Sequence, residues 1–593
     1  MKIDPYNTAL QTFIERFKKL PGRYQSALLL LLILALFFTF NKLAFQSYFS
    51  DDDFDNLRLA ALFPWWAFPK SLFTLALQGN FRPVGVIYYK LLGGAAGFNF
   101  GAYVVVLQAF HVATALLLWL FLRRLGLRPV SAALGCAFFT LHMSILPAYW
   151  KPMYIFEVLC GFWLVLALLF YQRDRFFLSF LCAWFAFKSK EMELMLPVLL
   201  LLYEWQFGQD RMSGRRQWKQ LIPFFLMSLG FGLQSLMLKG PETSYTLHLT
   251  PQAFWSAIDY YSTGLLYAPF SGLIISIALL CFRLRIITFG VLGFWILMFP
   301  MFGFPGRQFS AYLYVPLLAF SVAVAGVAQW RGRWALLFLV IWIPASYDQL
   351  RIERNPLLAY HHEHLPYVTQ VRNSLAAHPV PKAVIYEGTP KDFNVWGPES
   401  LFSFATGIFD LPVYRVEQPE ALEAVRRPGA VLYSWDAVHH RLHTNVFPGE
   451  GQDLSYVDFG LDNPIWQLKS GWKPLAGDCR WIAPLAVITL RQPPGDLDFI
   501  LRVNLGPGQA ESLHQVLRVA SDGQTLGEYR FTKSGFQTLS WPVSSGAESV
   551  KTFDITLDPA FVAPDRSRLG VVIYACGFLP RGSSAPRHGQ VVP

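Results

Sequence analysis

Apolar residues come in long, nearly uninterrupted runs over the first 346 positions and then stop doing so. A helix that crosses a bilayer needs roughly 20 mostly apolar residues, with a range of about 17–25. The pattern predicts eleven such segments: 26–44, 100–121, 130–148, 153–171, 175–188, 192–206, 221–238, 262–281, 286–302, 310–328 and 334–346. A polar start precedes the first, with no cleavage site after it, so it reads as an uncleaved anchor. After Asp348 proline and glycine become frequent, and short runs of β-formers alternate with turns. Residues 380–440 mix strand-like runs (Ala383–Tyr386, Ala430–Ser434) with a helical stretch near Pro419–Arg427. From about 453 strands dominate, at Trp481–Leu490, Asp498–Val503, Val516–Val519, Gly527–Thr532, Gln537–Pro542, Lys551–Leu557 and Leu569–Phe578. Their spacing fits a β-sandwich.

The expected organisation is a multi-pass α-helical membrane domain at 1–346, a small α/β module at 347–452 and a β-sandwich at 453–593. Loop charge supports the helical half. Lys and Arg collect on the cytoplasmic side of membrane proteins. Here the N-terminus carries Arg16, Lys18, Lys19 and Arg23, and every second loop after it is basic, from Arg123/Arg124/Arg128 to Arg331/Arg333. The alternate loops, and everything after the last span, are then expected outside. The first outer loop, 45–99, holds Trp65 and Trp66 and an amphipathic stretch from Lys70 to Gly94, which predicts helices lying along the membrane surface.

Composition agrees with this reading. Of 593 residues, 54% are hydrophobic and only 15% charged, against about 25% charged in soluble proteins. The net charge of +11 is scattered in loop clusters that set topology, and it offers no basic face for nucleic acid. Four cysteines lie in spans. Cys479 and Cys576 share the C-terminal half, where an oxidising compartment permits either a disulfide or two thiols.

Polar groups beside membrane spans are costly and point to function. Ser50-Asp51-Asp52-Asp53-Phe54-Asp55 follows the first span. Clustered carboxylates suit base chemistry or a cation. The same residues also read as a capping box, Ser50 with Asp53 three positions later, and the two readings are compatible. Lys188-Ser189-Lys190-Glu191 interrupts two apolar segments; its cations suit a phosphate, with Glu191 orienting one of them, or snorkel at helix ends. Arg307 is the lone cation of its loop, and Arg82-Pro83 opens a helix. His111 and His142 lie in or at the ends of spans, where histidines more often serve helix packing. His361-His362-Glu363-His364 is too compact for a tetrahedral metal site. No Gly-rich nucleotide loop, nucleophile elbow or zinc-type cysteine spacing occurs.

Taken in order, these residues resemble the GT-C superfamily of integral-membrane glycosyltransferases. The nearest pattern is that of bacterial relatives of the transmembrane O-mannosyltransferases with tetratricopeptide repeats. The matching segments are Ser50-Asp51-Asp52-Asp53-Phe54, Asn80-Phe81-Arg82-Pro83-Val84, Leu107-Gln108-Ala109-Phe110-His111-Val112, Phe139-Thr140-Leu141-His142, Ser189-Lys190-Glu191, and Arg307 followed by Tyr312-Leu313-Tyr314-Val315-Pro316. They span about residues 1–330. Two features depart from the family. Met143-Ser144-Ile145-Leu146 replaces its proline and nearby acid, with no acid before Glu157, and no tetratricopeptide repeats follow. The C-terminal part resembles jelly-roll, carbohydrate-binding-like envelope modules through Gly471-Trp472, Arg480-Trp481 and Asp565–Val571.

The resemblance implies an inverting transfer of a sugar from a polyprenyl-phosphate donor to an acceptor hydroxyl on a glycan, lipid or protein, on the outer face of a bacterial inner membrane. It implies Asp52 as base, with Asp51 or Asp53 as substitutes. Lys190 and Arg307 would hold the leaving phosphate, with Lys188 and Arg82 in reserve. Glu191, His142, His111, Tyr312 and Tyr314 would support them. A divalent ion on Asp51 and Asp53 is left open. Two rival classes stand beside this: a lipid-linked oligosaccharide ligase or polymerase, and a non-catalytic polysaccharide transporter or assembly protein.

Overall fold

A computed structural model describes residues 15–17, 19–50, 52–75, 82–210, 216–237, 246–506, 514–544, 546–563 and 566–583. Asp51, Asn80, Phe81 and Asp565 lie outside the described residues. The chain forms two compact units, 1–361 and 362–593.

The first unit is helical. Its helices are α1 (Gly22–Asn41), α2 (Asp53–Leu62), α3 (Phe68–Phe73), α4 (Pro83–Ala96), α5 (Phe100–Arg124), α6 (Pro129–Thr140), α7 (Leu146–Trp150), α8 (Ile155–Tyr171), α9 (Phe176–Ser189), α10 (Leu196–Phe207), α11 (Ile222–Met237), α12 (Pro251–Leu266), α13 (Ser271–Leu280), α14 (Arg285–Met298), α15 (Tyr314–Trp330) and the start of α16 (Gly332–Ala377). Pro83 and Pro129 sit in the first turn of their helices, where a missing N–H costs nothing. The helices pack closely through small residues. A Cβ on Gly290 of α14 would collide with the Ala323 backbone of α15, and one on Gly135 of α6 with the Ser321 carbonyl. Small residues bring membrane helices close enough for dense van der Waals contact.

The expected count of eleven spans is not confirmed. Five helices among the described residues are long and apolar enough to cross a membrane, or seven if two bent pairs each count once. The segment expected at 130–148 is a pair bent by 43° between α6 and the helical stretch Met143–Trp150. The one expected at 262–281 falls across an 82° bend between α12 and α13. The segments at 175–188 and 192–206 are helices of 14 and 12 residues, short of a full crossing. The polar turn between them is not a surface loop: Lys188, Lys190 and Glu193 are all buried. The change of composition at Asp348 falls inside one continuous helix, α16.

The second unit holds two sheets and a two-stranded ribbon, β13 (Phe561–Val562) paired with β14 (Arg568–Leu569). Strands β1 (Ala383–Glu387), β2 (Val413–Arg415), β3 (Ala430–Asp436) and β4 (Arg441–Asn445) form the first, in the order β2-β1-β3-β4. β1 runs parallel to β2 and β3, and β4 antiparallel to β3. β1 and β3 are buried along their whole length, as both-face burial of a parallel pair requires. Helices α17 (Gly397–Thr406) and α18 (Ala421–Val425) connect them.

Nine strands make the second sheet: β5 (Tyr456–Asp458), β6 (Leu468–Ala476), β7 (Cys479–Gln492), β8 (Leu497–Leu505), β9 (Val516–Ser521), β10 (Gln524–Arg530), β11 (Gly535–Val543), β12 (Ser549–Asp558) and β15 (Val572–Pro580). Its main path runs β10-β9-β12-β7-β15-β8-β11, with β5 on β15 and β6 on β7. The strands expected from 481 onward are all present; the short β5 and the irregular β6 were not anticipated. Phe499 of β8 and Phe553 of β12 stack with centroids 4.5 Å apart. In a flat sheet three strand steps would separate them by about 14 Å, so the sheet folds over its own core. Its two ends also meet, because a Cβ on Gly527 of β10 would collide with Trp541 of β11. This is the closure of a β-sandwich. Cys479 and Cys576 are buried separate thiols.

Candidate active site

Two constellations form where helices of the first unit begin and end. The first is the acidic helix start. α2 begins at Asp53 with half-buried Asp52 at its N-cap position. The Asp53 carboxylate is fully buried. One oxygen accepts the Ser50 backbone N–H at 2.9 Å and the other accepts the Tyr89 hydroxyl at 2.7 Å. That is the reach-back half of a capping box; the Ser50 hydroxyl itself is buried without capping. Burial and the neighbouring Asp53 push the Tyr89 phenol well above its ordinary pKa, so it stays a donor. Asp53 is therefore a strut between α2 and α4. Among the described residues of this acidic run, Asp52 and Asp55 are half-buried, more accessible than Asp53.

The second constellation brings together four distant segments. Arg82, at the N-cap of α4, grips Glu191 with two hydrogen-bonding groups, Nε at 3.1 Å and Nη2 at 2.9 Å. Lys190, just after α9, donates to Glu157 in the first turn of α8 at 2.6 Å. The Lys190 ammonium also lies 5.1 Å from the ring centre of Tyr312, in the turn before α15. Glu157 and Lys190 are 1% and 8% exposed, so this pair is taken out of water. The second oxygen of Glu157 is buried with no hydrogen-bond partner among the described residues.

Electrostatics favour the charged forms of Lys190, Arg82 and Glu191, each against the pull of burial. Burial and Arg82 work against the charge of Lys190, but Glu157, Tyr312 and Glu191 outweigh them and raise its pKa. Burial opposes the Arg82 charge too; Glu191 and Glu157 overcome it, and its pKa is raised. Glu191 is pushed up by burial and pulled further down by Arg82 and Lys190. Buried charges survive only when paired in this way.

One packed layer joins the constellations. The Tyr89 ring stacks near Phe156, with centroids 6.5 Å apart. The Arg82 guanidinium lies 5.6 Å from the Phe156 ring centre. Phe156 precedes Glu157 in the chain and fills the space left by Gly85, where a Cβ would strike its ring. The strut at Asp53 thus fixes the helix whose first turn presents Arg82.

The other expected residues fall elsewhere. Lys188 donates to the Thr74 carbonyl and lies against Trp184 and Phe231, a different neighbourhood from that of Lys190. Arg307 lies over Phe309 at 5.8 Å, shortly before the turn that carries Tyr312. His111 is a packing residue: Nδ1 is 2.9 Å from the Tyr314 hydroxyl, Nε2 3.3 Å from the Thr140 carbonyl, and the ring stacks on Tyr149 at 4.4 Å. His142 bonds the Leu265 carbonyl at 3.0 Å, bracing α12. Asp51 lies outside the described residues. Among the described residues no three His, Cys, Asp or Glu side chains gather as a metal site, and both Asp53 oxygens already accept hydrogen bonds.

No family model and no curated protein matches the chain. Several solved chains are similar to it, among them two of one protein. The arabinofuranosyltransferase AftD from Mycobacteria is 11% identical over 94% of this chain and 58% of that chain, with a TM-score of 0.40. A mutant form of the same protein is 12% identical over 94% of this chain and 61% of that chain, with a TM-score of 0.36. The chain thus spans about three fifths of their length.

Glu157 is the participant that the sequence reading passed over. Its signal was present, as a single carboxylate inside an otherwise apolar helical run, Ile155–Tyr171. Such a group at membrane depth needs a partner.

Proposed function

We propose that the chain is a GT-C-type membrane glycosyltransferase that transfers a sugar from a polyprenyl-phosphate donor to an acceptor hydroxyl, with inversion. The observation that carries this reading is the meeting of Arg82, Lys190, Glu157, Glu191 and Tyr312 beside an acidic helix start, in a unit built of apolar helices. An anionic leaving group and a base-assisted hydroxyl need those two features side by side.

In this reading Asp52 takes the proton of the acceptor hydroxyl as its oxygen attacks the anomeric carbon. The bond from that carbon to the phosphate oxygen breaks, and polyprenyl phosphate leaves with the electron pair. The cations are already held in place. An ammonium has three donors and a guanidinium five. Lys190 spends one donor on Glu157, and Arg82 spends Nε and Nη2 on Glu191. The remaining donors are available to phosphate oxygens. A site fixed before the reaction does not have to reorganise as charge develops.

In this reading these groups work at the outer face of a bacterial inner membrane, with the N-terminus cytoplasmic and the C-terminal unit outside; the basic loops of the sequence support that orientation. The acceptor is a glycan, lipid or protein hydroxyl of the envelope, and the β-sandwich is the part suited to hold a glycan. The test is transfer of radiolabelled sugar from polyprenyl-phosphate donors to membrane extract by the purified protein, wild type against Asp52→Asn. Transfer that collapses in the equally folded variant supports the reading. Wild type inactive with every monosaccharide donor overturns it in favour of an oligosaccharide ligase or a transporter.

A further inference from the structure

A cavity of about 960 Å³ opens between α6, α13, α15 and the first turns of α16. Its size lies at the top of the range of small-molecule sites, about 300–1,000 Å³. Phe138, Leu279, Phe320, Val324, Phe338 and Trp342 form its walls. A water molecule held inside a protein needs two to four polar partners, and these walls do not supply them. The occupant is therefore apolar.

Charge marks one end. The charged residues among its lining are Arg331 and Arg333, on either side of Gly332 where α15 gives way to α16. Both are exposed. The Arg331 guanidinium lies 5.6 Å from the Trp330 ring centre, and Trp334 is 54% exposed. Arginine and tryptophan at the end of apolar helices mark the level of lipid headgroups. Basic pockets between membrane helices bind acidic headgroups, and a guanidinium can grip phosphate with two parallel hydrogen bonds. The rest of α15 separates this end from Tyr312. Its 17 residues amount to about 25 Å of helix, too far for the phosphate held here to be one held by Lys190.

We propose that this crevice is a binding site for an anionic phospholipid of the surrounding bilayer. Its acyl chains lie against Phe138, Phe320 and Trp342, and its phosphate sits on Arg331 and Arg333. The inference does not rest on the reading of the Lys190 cluster.

The test is native mass spectrometry of the full-length protein in detergent with phosphatidylglycerol and phosphatidylcholine offered together. Phosphatidylglycerol is expected to be retained with a preference of about tenfold, near 1.4 kcal/mol. Arg331→Gln with Arg333→Gln should bring the two lipids to parity. Ala278→Trp, which fills the cavity from the α13 side, should reduce the retention of both. Equal retention by the wild type, or a preference undiminished in the double arginine variant, overturns the proposal. So does displacement of phosphatidylglycerol by equimolar polyprenyl phosphate, which would assign the crevice to that lipid instead.

Discussion

The ammonium of Lys190 sits 2.6 Å from a carboxylate oxygen of Glu157, and both side chains are buried. One lies at the end of α9 and the other in the first turn of α8, so the contact ties two apolar helices together at their polar ends. Removing one partner of a buried pair leaves the other charge stranded, at a cost of about 3–5 kcal/mol. Lys190→Met and Glu157→Leu should each lower the thermal unfolding midpoint in detergent. The double variant should recover most of that loss, because a buried pair is worth little more than well-packed apolar groups. Sugar transfer should not recover with it. A double variant as unstable as the sum of the singles would show that the two residues act independently.

Arg82 and Glu191 make a different kind of contact. Their side chains are 20% and 38% exposed, so solvent screens the pair and its share of stability is small, about 1 kcal/mol or less. The geometry is more demanding than the energy. Arg82→Lys keeps the charge and loses the planar fork. It should leave the unfolding midpoint nearly unchanged and reduce kcat/KM about 100-fold or more, the scale for losing one positioned donor to a developing anion. Full activity in Arg82→Lys would remove Arg82 from the phosphate site.

Neighbouring aspartates at the start of α2 should separate cleanly. Asp53 accepts Ser50 N–H and Tyr89 O–H, so Asp53→Ala loses a cap and strands a buried phenol. About 1–2 kcal/mol is the expected cost for each of these losses. Tyr89→Phe should reproduce part of the effect. Asp52→Asn should unfold like the wild type and fail in transfer. Matching unfolding curves for both aspartate variants would contradict the strut assigned to Asp53.

Much of this was legible before the structure. Arg82-Pro83 announced a helix start, and the Arg-Pro, Ser-Lys-Glu and Tyr-x-Tyr segments singled out in the sequence do meet in space. The strands from 481 onward followed from alternation and turn residues. What escaped the sequence was tertiary in origin. Hydropathy cannot tell a polar break that faces water from one that turns inward, so the segment around Lys190 passed for a loop between two full spans. For the same reason Glu157 looked distant from a motif that it completes in space. Among adjacent aspartates, only the packing of Tyr89 distinguishes a buried strut from a more accessible carboxylate. Periodicity also ran straight through the 82° bend between α12 and α13, because a bend need not interrupt an apolar run.

The C-terminal unit offers a test by pH. At the end of β3 the buried Asp436 accepts the backbone N–H groups of Val438 and His439 on one oxygen. Its other oxygen lies 2.6 Å from Nδ1 of His439. The hydrogen bond and charge of Asp436 raise the His439 pKa. Burial pushes Asp436 up, and its bonds to His439 and Val438 pull it further down, so the net shift is downward. A raised histidine adds stability that is complete below its ordinary value and fades as pH rises through the folded value; a depressed aspartate adds stability that is complete above its ordinary value and fades as pH falls through the folded one. With ordinary values of about 3.9 and 6.5, the turn is tightest between them and loosens on the alkaline side as His439 loses its proton. The His439 side chain is 57% exposed, so the effect is local to the turn. Hydrogen exchange of the Val438 and His439 amides should be slower in the wild type than in His439→Gln at mildly acidic pH, and the two should converge at alkaline pH. A difference that stays constant across that range would mean that the imidazolium plays no part in holding the turn.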